Sequence, residues 1–521
     1  MTDATRPGTA PGGPGGAGGP GGPLAPGAAQ TGALDAALPP DVVDLLASLE
    51  EAGCDAFVVG GCVRDMLLGR DPLDWDLTTD ADPDRLSALF PGSRYENRYG
   101  TVTATRGGRE YEITTYRTER GYDDHRRPAH VAFGATLDED LARRDFTVNA
   151  MAFGRAAGDP AGAARRLVDP HGGRADLAAK TIRAVGDPDA RFAEDALRML
   201  RAVRLASTLG FTIESGTRDA IERHAEDLAH LSGTRVGAEI ERLLLAPVPS
   251  VGLRLLEETG LLAMALPELA AQRGIPQAKI AGDDLWDHTV RTVDAAAAAA
   301  TAATPTAATT VAAAPAVDAA TIVAGTAGRT EEDRRRALVA PVAALLHDVG
   351  KPATYADGRF HHHDVVGAPL ADAILGRLAF PRETRERVAR LVRHHMFSYE
   401  PSWSDAAVRR FIRRVGEDLL DDLLDLRSAD DVGSGLPADG PRTAELRRRC
   451  REQLEARVPL GRADLAVDGD DVVAALGITP GPRLGRILDR LTDRVVDDPA
   501  LNDRDVLLAL ARAIGRNLED R

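Results

Sequence analysis

The sequence predicts an α+β protein in which a small mixed sheet with helices is followed by mostly helical domains. An apolar run at 56–59 and two strand-like runs at 100–105 and 110–116 indicate the sheet. Farther along, apolar residues follow helical spacing, as at 193–206, and the pattern stays helical from about residue 441. Because 521 residues exceed what one core supports, three or four domains are expected.

Composition narrows the class of protein. The net charge of −16 argues against binding nucleic acid along the whole surface, since phosphate binding is dominated by Lys and Arg, so local clusters would have to bind RNA. Cys54, Cys62 and Cys450 are too few and too scattered for a disulfide framework, which fits a reducing cytoplasm. Neither a signal-peptide pattern nor a run of about eighteen apolar residues occurs, so we expect no contact with a membrane.

The chain begins with a segment, 1–36, that is rich in Gly, Pro and Ala and almost lacks large apolar side chains. Such a segment cannot bury enough surface to offset chain entropy, so it is predicted to be a disordered tail. From Pro40 the pattern changes, and Asp41 is expected to cap a helix that leads into a pair of glycines.

The most informative stretch, at 59–79, reads VGGCVRDMLLGRDPLDWDLTT. Gly60 and Gly61 fall between the predicted strand and a short helix at 63–68. Glycine at such a turn lets backbone amides approach a phosphate, and Arg64 can add a bidentate fork. The pattern predicts a triphosphate cradle, with an ordinary turn as the alternative.

Two aspartates follow this turn. If 75–78 is a strand, Asp74 and Asp76 point to the same face and repel each other unless a cation lies between them. Oxygen ligands of this kind suit Mg²⁺, whereas a solvated loop is the plainer interpretation. Glu112, on the strand at 110–116, is a candidate third carboxylate or else an exposed edge-strand glutamate.

In combination these residues resemble motif A of the class II tRNA nucleotidyltransferases and bacterial poly(A) polymerases, within the polymerase-beta-like nucleotidyltransferase superfamily. The run LARRDFTVNAM at 141–151 resembles motif B of that family almost letter for letter. The resemblance implies nucleotidyl transfer with two Mg²⁺ ions, and a flexible loop at 117–136. It also implies nucleotide-binding residues in the head, with Arg144 at a phosphate and Asp145 at ribose hydroxyls. The head set is Gly60, Gly61, Arg64, Asp65, Arg144, Asp145 and Asn149.

Base selection is expected in AEDALRMLRAVRLA, at 193–206. The ordinary explanation is a surface helix with Glu-to-Arg pairs, but the run resembles the family's EDxxRxxRxxR motif. This implies that Asp195 accepts a hydrogen bond from an exocyclic amine of the base and that Arg198 donates one to a ring acceptor. C and A carry both groups, and U and G do not. Three further residues belong to the expected nucleotide-binding set: Glu194, Arg201 and Arg204. The two arginines are expected to face phosphates or to hold the Asp195–Arg198 pair in place.

The next stretch, at 231–245, resembles the following family motif but departs from its usual Glu-Arg pair at Thr234-Arg235, and we assign it no role. An Ala/Thr/Pro stretch at about 295–329 is predicted to be a flexible insertion. In the tail, Arg483 and Arg486 are weak candidates for tRNA phosphate contacts.

A second constellation resembles the ordered H, HD, D series of the HD phosphohydrolase superfamily, which implies a second divalent metal. Its members are His288, His347, Asp348 and Asp430. On helices these four can converge on one ion, with Gly350 and Pro352 ending the helix that carries the HD pair. Histidines at 361–363 and 394–395 could add ligands or phosphate contacts.

The resemblance implies that the chain adds C, C and A to the 3′ end of tRNA from CTP and ATP, releasing pyrophosphate in the cytoplasm, with no obligate protein partner. Poly(A) addition, addition of only CC or only A, and HD phosphohydrolase activity remain alternatives, and oligomeric state is left open. The expected domains are a disordered tail at 1–36, the nucleotidyltransferase head at 37–175, a helical body at 176–275, an HD domain at 276–440 and a helical tail at 441–521.

Overall fold

The computed structural model describes residues 28–96, 100–122, 128–160, 162–277, 279–302, 331–438 and 440–517. The chain divides into two compact units. The first takes in Met1–Glu119 and Val131–Ala179, and the second Arg120–His130 and Lys180–Arg521. No helix in these described ranges is both long and apolar enough to cross a membrane.

The first unit is built on a seven-stranded sheet with the order β3-β4-β5-β2-β1-β8-β9. The first nine strands are β1 (Ala56–Val59), β2 (Asp76–Thr79), β3 (Arg94–Glu96), β4 (Thr101–Arg106), β5 (Arg109–Thr115), β6 (Arg117–Tyr122), β7 (Pro128–Phe133), β8 (Ala152–Arg155) and β9 (Arg166–Val168). Within the large sheet, β2 and β5 run parallel, and the other neighbours run antiparallel. The predicted small mixed sheet is therefore confirmed.

Six helices accompany this sheet: α1 (Ala28–Ala36), α2 (Pro40–Glu51), α3 (Gly61–Leu67), α4 (Pro83–Leu89), α5 (Leu137–Ala142) and α6 (Gly173–Ala178). Helix α2 buries Val42, Leu45, Leu46 and Leu49, which recur at helical spacing. Pro39 rather than Asp41 occupies the position before this helix, and Asp41 lies in its first turn.

Two predictions for this unit are wrong in part. Residues 28–36 form α1 instead of continuing a disordered tail, because Leu34 is buried and Asp35 pairs with Arg165 at 2.8 Å. The rest of that predicted tail lies outside the described residues. The predicted loop at 117–136 contains β6 and β7, which form a two-stranded sheet. Strands pair through hydrogen bonds between backbone groups, so they can form where the sequence shows no apolar period.

The second unit is mostly helical and contains short strand pairs in its described part. Strand β10 (Thr181–Ile182) pairs with β11 (Thr212–Ile213), and β12 (Tyr355–Ala356) pairs with β13 (Arg359–Phe360). Its body contains α7 (Pro188–Glu194), α8 (Leu197–Leu209), α9 (Ser215–His224), α10 (Gly233–Leu244), α11 (Pro249–Glu258), α12 (Leu261–Ala265) and α13 (Pro267–Ala270). The following part contains α14 (Leu285–Ala302), α15 (Glu331–Leu346), α16 (Lys351–Thr354), α17 (His363–Arg377), α18 (Arg382–His394), α19 (Asp405–Val415) and α20 (Leu420–Gly433). The last four helices are α21 (Pro441–Glu455), α22 (Gly469–Leu476), α23 (Pro482–Asp497) and α24 (Arg504–Asn517).

Two sequence expectations change here as well. The helix predicted at 193–206 is interrupted, because Asp195 is extended, with φ −147° and ψ 102°, and separates α7 from α8. The predicted insertion begins later than residue 295, since α14 continues to Ala302 on alanine-rich sequence of high helix propensity. Its remainder, at 303–329, lies outside the described residues.

Helix α5 is held by a capping box and a buried carboxylate. Thr136 accepts from the Glu139 backbone N–H while the Glu139 side chain accepts from the Thr136 N–H, which satisfies two backbone donors at the helix start. Asp140 is fully buried and accepts from Arg143 at 2.7 Å and from Arg144 at 3.3 Å. Burial alone would raise the pKa of Asp140, but the two guanidinium groups outweigh burial and hold the pKa below its ordinary value.

We predict that Asp140→Asn lowers the free energy of unfolding at pH 7 by about 2 kcal/mol, because it leaves two arginines without their carboxylate. The folded-state pKa of Asp140 is depressed, so its contribution is complete above the unfolded-state pKa of about 3.9 and is lost as pH falls through the folded-state value. The difference between variant and parent in urea unfolding should therefore shrink below about pH 4. Asp138→Asn, at an exposed position of the same helix, is the matched control and should change stability by less than about 0.5 kcal/mol.

Candidate functional site

The glycine turn predicted from the sequence lies at the end of a buried strand. All four residues of β1 are buried, and α3 begins directly after Gly60. Gly60 has φ +84°, and a Cβ there would lie 2.9 Å from Arg144 Nη1. Its N–H donates to the Met151 carbonyl at 3.0 Å. Glycine is needed at this position both for the positive φ and for the close approach of the arginine.

Arg64 connects motif A with motif B. Its Nε and Nη2 donate to the two carboxylate oxygens of Asp65, both at 2.9 Å, and its Nη1 donates to Asn149 Oδ1 at 2.8 Å. Asn149 Nδ2 in turn donates to Asp145 Oδ1 at 3.1 Å. These contacts fix four of the predicted nucleotide-binding residues in one hydrogen-bonded chain, and their contact with a nucleotide stays a prediction.

The predicted carboxylates lie on, or just before, two neighbouring strands at the centre of the sheet. Asp76 opens β2 and is the register partner of Glu112 on the parallel strand β5, so both side chains leave the same face. Asp74 lies in a bend just before β2 and influences Asp76 electrostatically. Carboxylates on neighbouring strands have the donor chemistry of a hard divalent cation site, and metal binding by these three residues stays a prediction.

Electrostatics around Asp76 fit such a site. Desolvation by the surrounding protein raises the pKa of Asp76, and the charge of Asp74 raises it further, while Arg144 opposes both. A cation among these groups would relieve the cost of keeping adjacent carboxylates ionised. Arg144 is held by Asp140, and its buried Nε has no hydrogen-bond partner in the described part of the chain, which leaves donor capacity near the glycine turn.

The predicted base-selecting residues lie where α7 gives way to α8. Asp195 accepts from the Leu197 backbone N–H at 3.1 Å, which starts α8, and both of its oxygens accept from Arg235 Nη2, at 3.1 and 2.8 Å. Arg198 donates to Glu194 Oε2 at 2.5 Å. Sequence reasoning assigned Arg235 no role; nothing in its own motif links it to Asp195, forty positions away.

Arg204 and Arg483 have structural partners. Arg204 Nε donates to the buried Glu239 on α10 at 2.6 Å, and burial lowers the pKa of Arg204 although Glu239 opposes that change. Arg483 Nη2 donates to the Gly515 carbonyl at 3.1 Å, so it fastens α23 to α24, whereas Arg486 is exposed. Arg204, which is expected to face a phosphate or hold the base-selecting pair, joins α8 to α10 through Glu239, and its contact with a phosphate stays a prediction.

The H, HD, D residues come together in the second unit. His288 lies on α14, His347 and Asp348 follow α15, and Asp430 lies on α20. His288 Nε2 is 3.2 Å from Asp430 Oδ1, 3.6 Å from Asp348 Oδ2 and 3.3 Å from His347 Nε2. The expected convergence is present, and metal binding by the four residues stays a prediction.

Two histidines from the longer histidine runs join the same cluster. His363 opens α17 and His395 follows α18, and their Nε2 atoms are 3.1 Å apart. His361 lines the cavity beside them, His362 is exposed, and burial lowers the pKa of the half-buried His394, with nearby arginines adding to the effect. No helical spacing in the sequence distinguishes these histidines, because the contact depends on how α17 and α18 pack.

The pKa values of Asp348 and Asp430 in this cluster lie well below the ordinary value of an aspartate. Burial alone would raise the pKa of Asp348, but His347 and Lys351 hold it well below its ordinary value, and Lys351 Nζ is 2.6 Å from Asp348 Oδ2. Burial lowers the pKa of His347, although Asp348 opposes that change. A low-pKa carboxylate beside a largely neutral imidazole is the state in which both can ligate a cation.

Four family models match the chain. A Poly A polymerase head domain matches residues 56–183, and a probable RNA and SrmB-binding site of polymerase A matches 210–273. An HD domain matches 285–433, and a tRNA nucleotidyltransferase domain 2 matches 368–511.

Curated relatives include the CCA-adding enzyme of Geobacillus thermodenitrificans, which is 46% identical over 235 residues, 44% of this chain and 56% of that protein. The chain thus spans little more than half the length of such relatives. The A-adding tRNA nucleotidyltransferase of Deinococcus radiodurans is 34% identical over 471 residues, which cover 84% of this chain and 91% of that protein.

Solved structures of CCA-adding enzymes are similar to this chain over most of its length. The crystal structure of the Bacillus stearothermophilus CCA-adding enzyme in complex with CTP matches with a TM-score of 0.63 and 28% identity, covering 93% of this chain and all of that one. The Thermotoga maritima CCA-adding enzyme complexed with tRNA shares the fold at a TM-score of 0.53 and 18% identity, over 93% of this chain and 98% of that one. Because the motifs are in place and a relative is 34% identical over 84% of this chain and 91% of its own length, the chain belongs to the tRNA nucleotidyltransferase family.

Proposed function

We propose that this protein adds C, C and A to the 3′ end of tRNA, using CTP and ATP and releasing pyrophosphate in the cytoplasm. The observation that carries the proposal is the pairing of Asp76 with Glu112 in the same unit as the Gly60 turn and Arg144. The similarity to CCA-adding enzymes, one of them in complex with CTP, supports the choice of nucleotides.

The cation of this reaction is proposed to be Mg²⁺, held by Asp74, Asp76 and Glu112. The fit rests on their chemistry: Asp76 and Glu112 are register partners, and Asp74 is close enough to raise the pKa of Asp76. When bound, Mg²⁺ would neutralise triphosphate charge and favour the ionised form of a hydroxyl. Asp74 and Asp76 would serve as ligands of this cation, and its binding would decrease the electrostatic repulsion between their carboxylates.

The remaining residues of the head bind and orient the nucleotide. Gly60 lets the Arg144 guanidinium approach the start of α3, so this arginine offers a phosphate a fixed positive charge there, and Gly61 follows as the first residue of the helix. Asp145 retains acceptor capacity for ribose hydroxyls while Asn149 orients one of its oxygens. In the reaction the 3′-hydroxyl oxygen bonds the α-phosphorus, the bond to the bridging oxygen of pyrophosphate breaks, and the hydroxyl proton leaves to water.

Selection of the base is proposed for Asp195 and Arg198. An acceptor and a donor side by side match the amine and ring nitrogen that C and A both present, whereas U and G would leave these groups unpaired. Unpaired polar groups discriminate more strongly than missing apolar contacts. Arg235 contacts both oxygens of Asp195 and therefore restricts the direction in which this acceptor points.

Addition of A alone is the second candidate. It is favoured by the Deinococcus radiodurans A-adding relative, which matches 84% of this chain, whereas the CCA-adding enzyme of Geobacillus thermodenitrificans matches 44%. The carboxylates and the Asp195–Arg198 pair suit both activities, because C and A present the same donor and acceptor pattern to them.

The proposed function is tested first through the product of the reaction. Purified protein is incubated with Mg²⁺ and a tRNA that ends before CCA, with CTP alone, ATP alone or both, and the 3′ ends are sequenced. We expect complete CCA ends only when both nucleotides are present. A tRNA that ends in CC is tested in parallel. Extension of this tRNA by a single A, with no extension of the tRNA that ends before CCA, would establish A addition instead.

Asp76→Asn should lower the rate of nucleotide addition by on the order of 10³-fold, because it removes a charged cation ligand at the reacting centre. Circular dichroism should show an unchanged fold. Glu110→Gln is the matched control, since Glu110 lies on the same strand as Glu112 and pairs with the exposed Arg94. Normal rates for Asp76→Asn at ordinary Mg²⁺ concentrations would refute the assignment.

Arg235→Gln should lower the preference for CTP over UTP, measured as the ratio of kcat/KM values, by about tenfold, because Asp195 loses the partner that orients it. Arg242→Gln, on the same helix but exposed and paired with Glu239, should leave this ratio unchanged. A variant with lower activity but an unchanged CTP-to-UTP ratio would show that Arg235 only stabilises the body.

A further inference from the structure

Helix α10 presents two opposite faces. Arg235 and Glu239 are four positions apart and share one face, and Gly233 and Gly237 share another. Because an α-helix turns by about 100° per residue, the two faces lie about 200° apart around its axis. A displacement of one face moves the other with it, since hydrogen bonds between successive turns keep the helix rigid.

The polar face of α10 contacts the base-selecting segment. Arg235 Nη2 donates to both oxygens of Asp195, at 3.1 and 2.8 Å. Glu239, whose side chain is 3% exposed, accepts from Arg204 Nε at 2.6 Å. Arg235 Nη1 is buried and has no hydrogen-bond partner among the described residues, so this nitrogen does not fix the guanidinium. The direction of Arg235 therefore depends on where the backbone of α10 lies.

The glycine face of α10 contacts the end of α17. A Cβ at Gly233 would lie closer than 3.0 Å to the Arg377 carbonyl oxygen, and a Cβ at Gly237 would lie closer than 3.0 Å to the Leu378 carbonyl oxygen. Both obstacles are backbone atoms, so no side-chain rotation would relieve the overlap. Glycine alone lets the two backbones approach this closely, with a Cα hydrogen in place of each Cβ facing a carbonyl oxygen.

The end of α17 is a fixed support. Backbone hydrogen bonds of 2.9 to 3.1 Å close the turn that follows it, at 378–380. Ala379 has φ +59°, a left-handed conformation that a residue with a side chain keeps only where its surroundings hold it. Arg377 donates from Nη1 to the Ala265 carbonyl at 2.9 Å and from Nη2 to both oxygens of Glu268, at 2.8 and 2.7 Å. These contacts tie the turn to α12 and α13.

The support and the helix that it contacts belong to different parts of the second unit. Helix α17 lies in the region that matches the HD domain model, and α10 lies in the body. We propose that the turn at 377–380 is a positioning element of base selection, which supports the glycine face of α10 and thereby keeps Arg235 against Asp195. This inference rests on the proposed role of Asp195 and Arg198 in reading the base. The HD-matching region then contributes to nucleotide addition independently of any chemistry of its buried histidines and aspartates, the HD centre.

Displacing α10 from its support tests the proposal. Gly237→Ala places a methyl group against the Leu378 carbonyl, so α10 must shift toward the base-selecting segment and Arg235 loses its alignment with Asp195. The preferences for CTP over UTP and for ATP over GTP are measured as ratios of kcat/KM. We expect both ratios to fall about fivefold in the full-length variant.

Controls separate positioning from stability. Gly216→Ala, on α9 of the same body, makes the same substitution where the Cβ would lie 3.4 Å from the Glu214 carboxylate, and it should leave both ratios unchanged. A smaller folded fraction lowers the rates with all four nucleotides alike and leaves the ratios as they were. In Arg235→Gln the support has no guanidinium to position, so adding Gly237→Ala should cause no further decrease in either ratio.

Unchanged ratios in a folded Gly237→Ala variant would overturn the proposal. A further decrease in the double variant with Arg235→Gln would overturn it as well, because the effect would then not pass through Arg235. If Gly237→Ala does not fold, the same cycle is run with Arg377→Gln, which frees the turn from Glu268 and should lower both ratios about twofold. The exposed Arg382→Gln is its control, and unchanged ratios in Arg377→Gln would count against the proposal in the same way.

Asp195→Asn tests the premise on which the inference rests. Lower ratios in this variant together with unchanged ratios in Gly237→Ala would overturn the positioning role and leave the proposed function intact. Unchanged ratios in Asp195→Asn would show that the base is not read by this pair, and the inference would fall with that part of the proposed function.

Discussion

The parallel pairing of β2 with β5 is the constraint on which the head depends. Every other neighbour in its sheet is antiparallel, and this one pair brings Asp76 and Glu112 into register although they are far apart in sequence. Because side chains alternate across a strand, a shift by one residue would point Glu112 to the other face. The buried strand β1 lies beside β2 and ends at the glycine turn, so the proposed cation ligands and the proposed phosphate-binding turn share one edge of the sheet.

Arginine–carboxylate pairs hold the functional side chains in place. Asp140 holds Arg144 near Gly60, Arg64 links Asp65 to Asn149, and Arg235 restrains Asp195. Partly buried pairs of this kind contribute little net stability, since desolvation cancels much of the attraction, but they fix direction. Template-independent selection of a base, as proposed for Asp195 and Arg198, needs fixed directions, because a donor or acceptor that rotates would accept the wrong edge as readily as the right one.

In the HD centre the backbone sets the chemistry of the side chains. Backbone carbonyls of Ala344, Phe360 and Val392 lie within hydrogen-bond distance of the Nδ1 atoms of three histidines and so turn the Nε2 atoms toward the cluster. Asp348 then lies between two sets of imidazoles with one oxygen toward each.

The sequence by itself determined the mixed sheet, the glycine turn, the carboxylates and the H, HD, D series, because spacing along a strand or a helix end is a local property. It misjudged the break at Asp195, could not find Arg235 as a partner, and could not single out His363 and His395 among the five histidines named as possible ligands, since these contacts join segments distant along the chain. Helix α1 shows the same limit: a Gly/Pro/Ala composition favours disorder, yet burial of Leu34 selects a helix. Tertiary packing alone decided which polar groups meet, because a hydrogen bond depends on distance in space and not on position in the sequence.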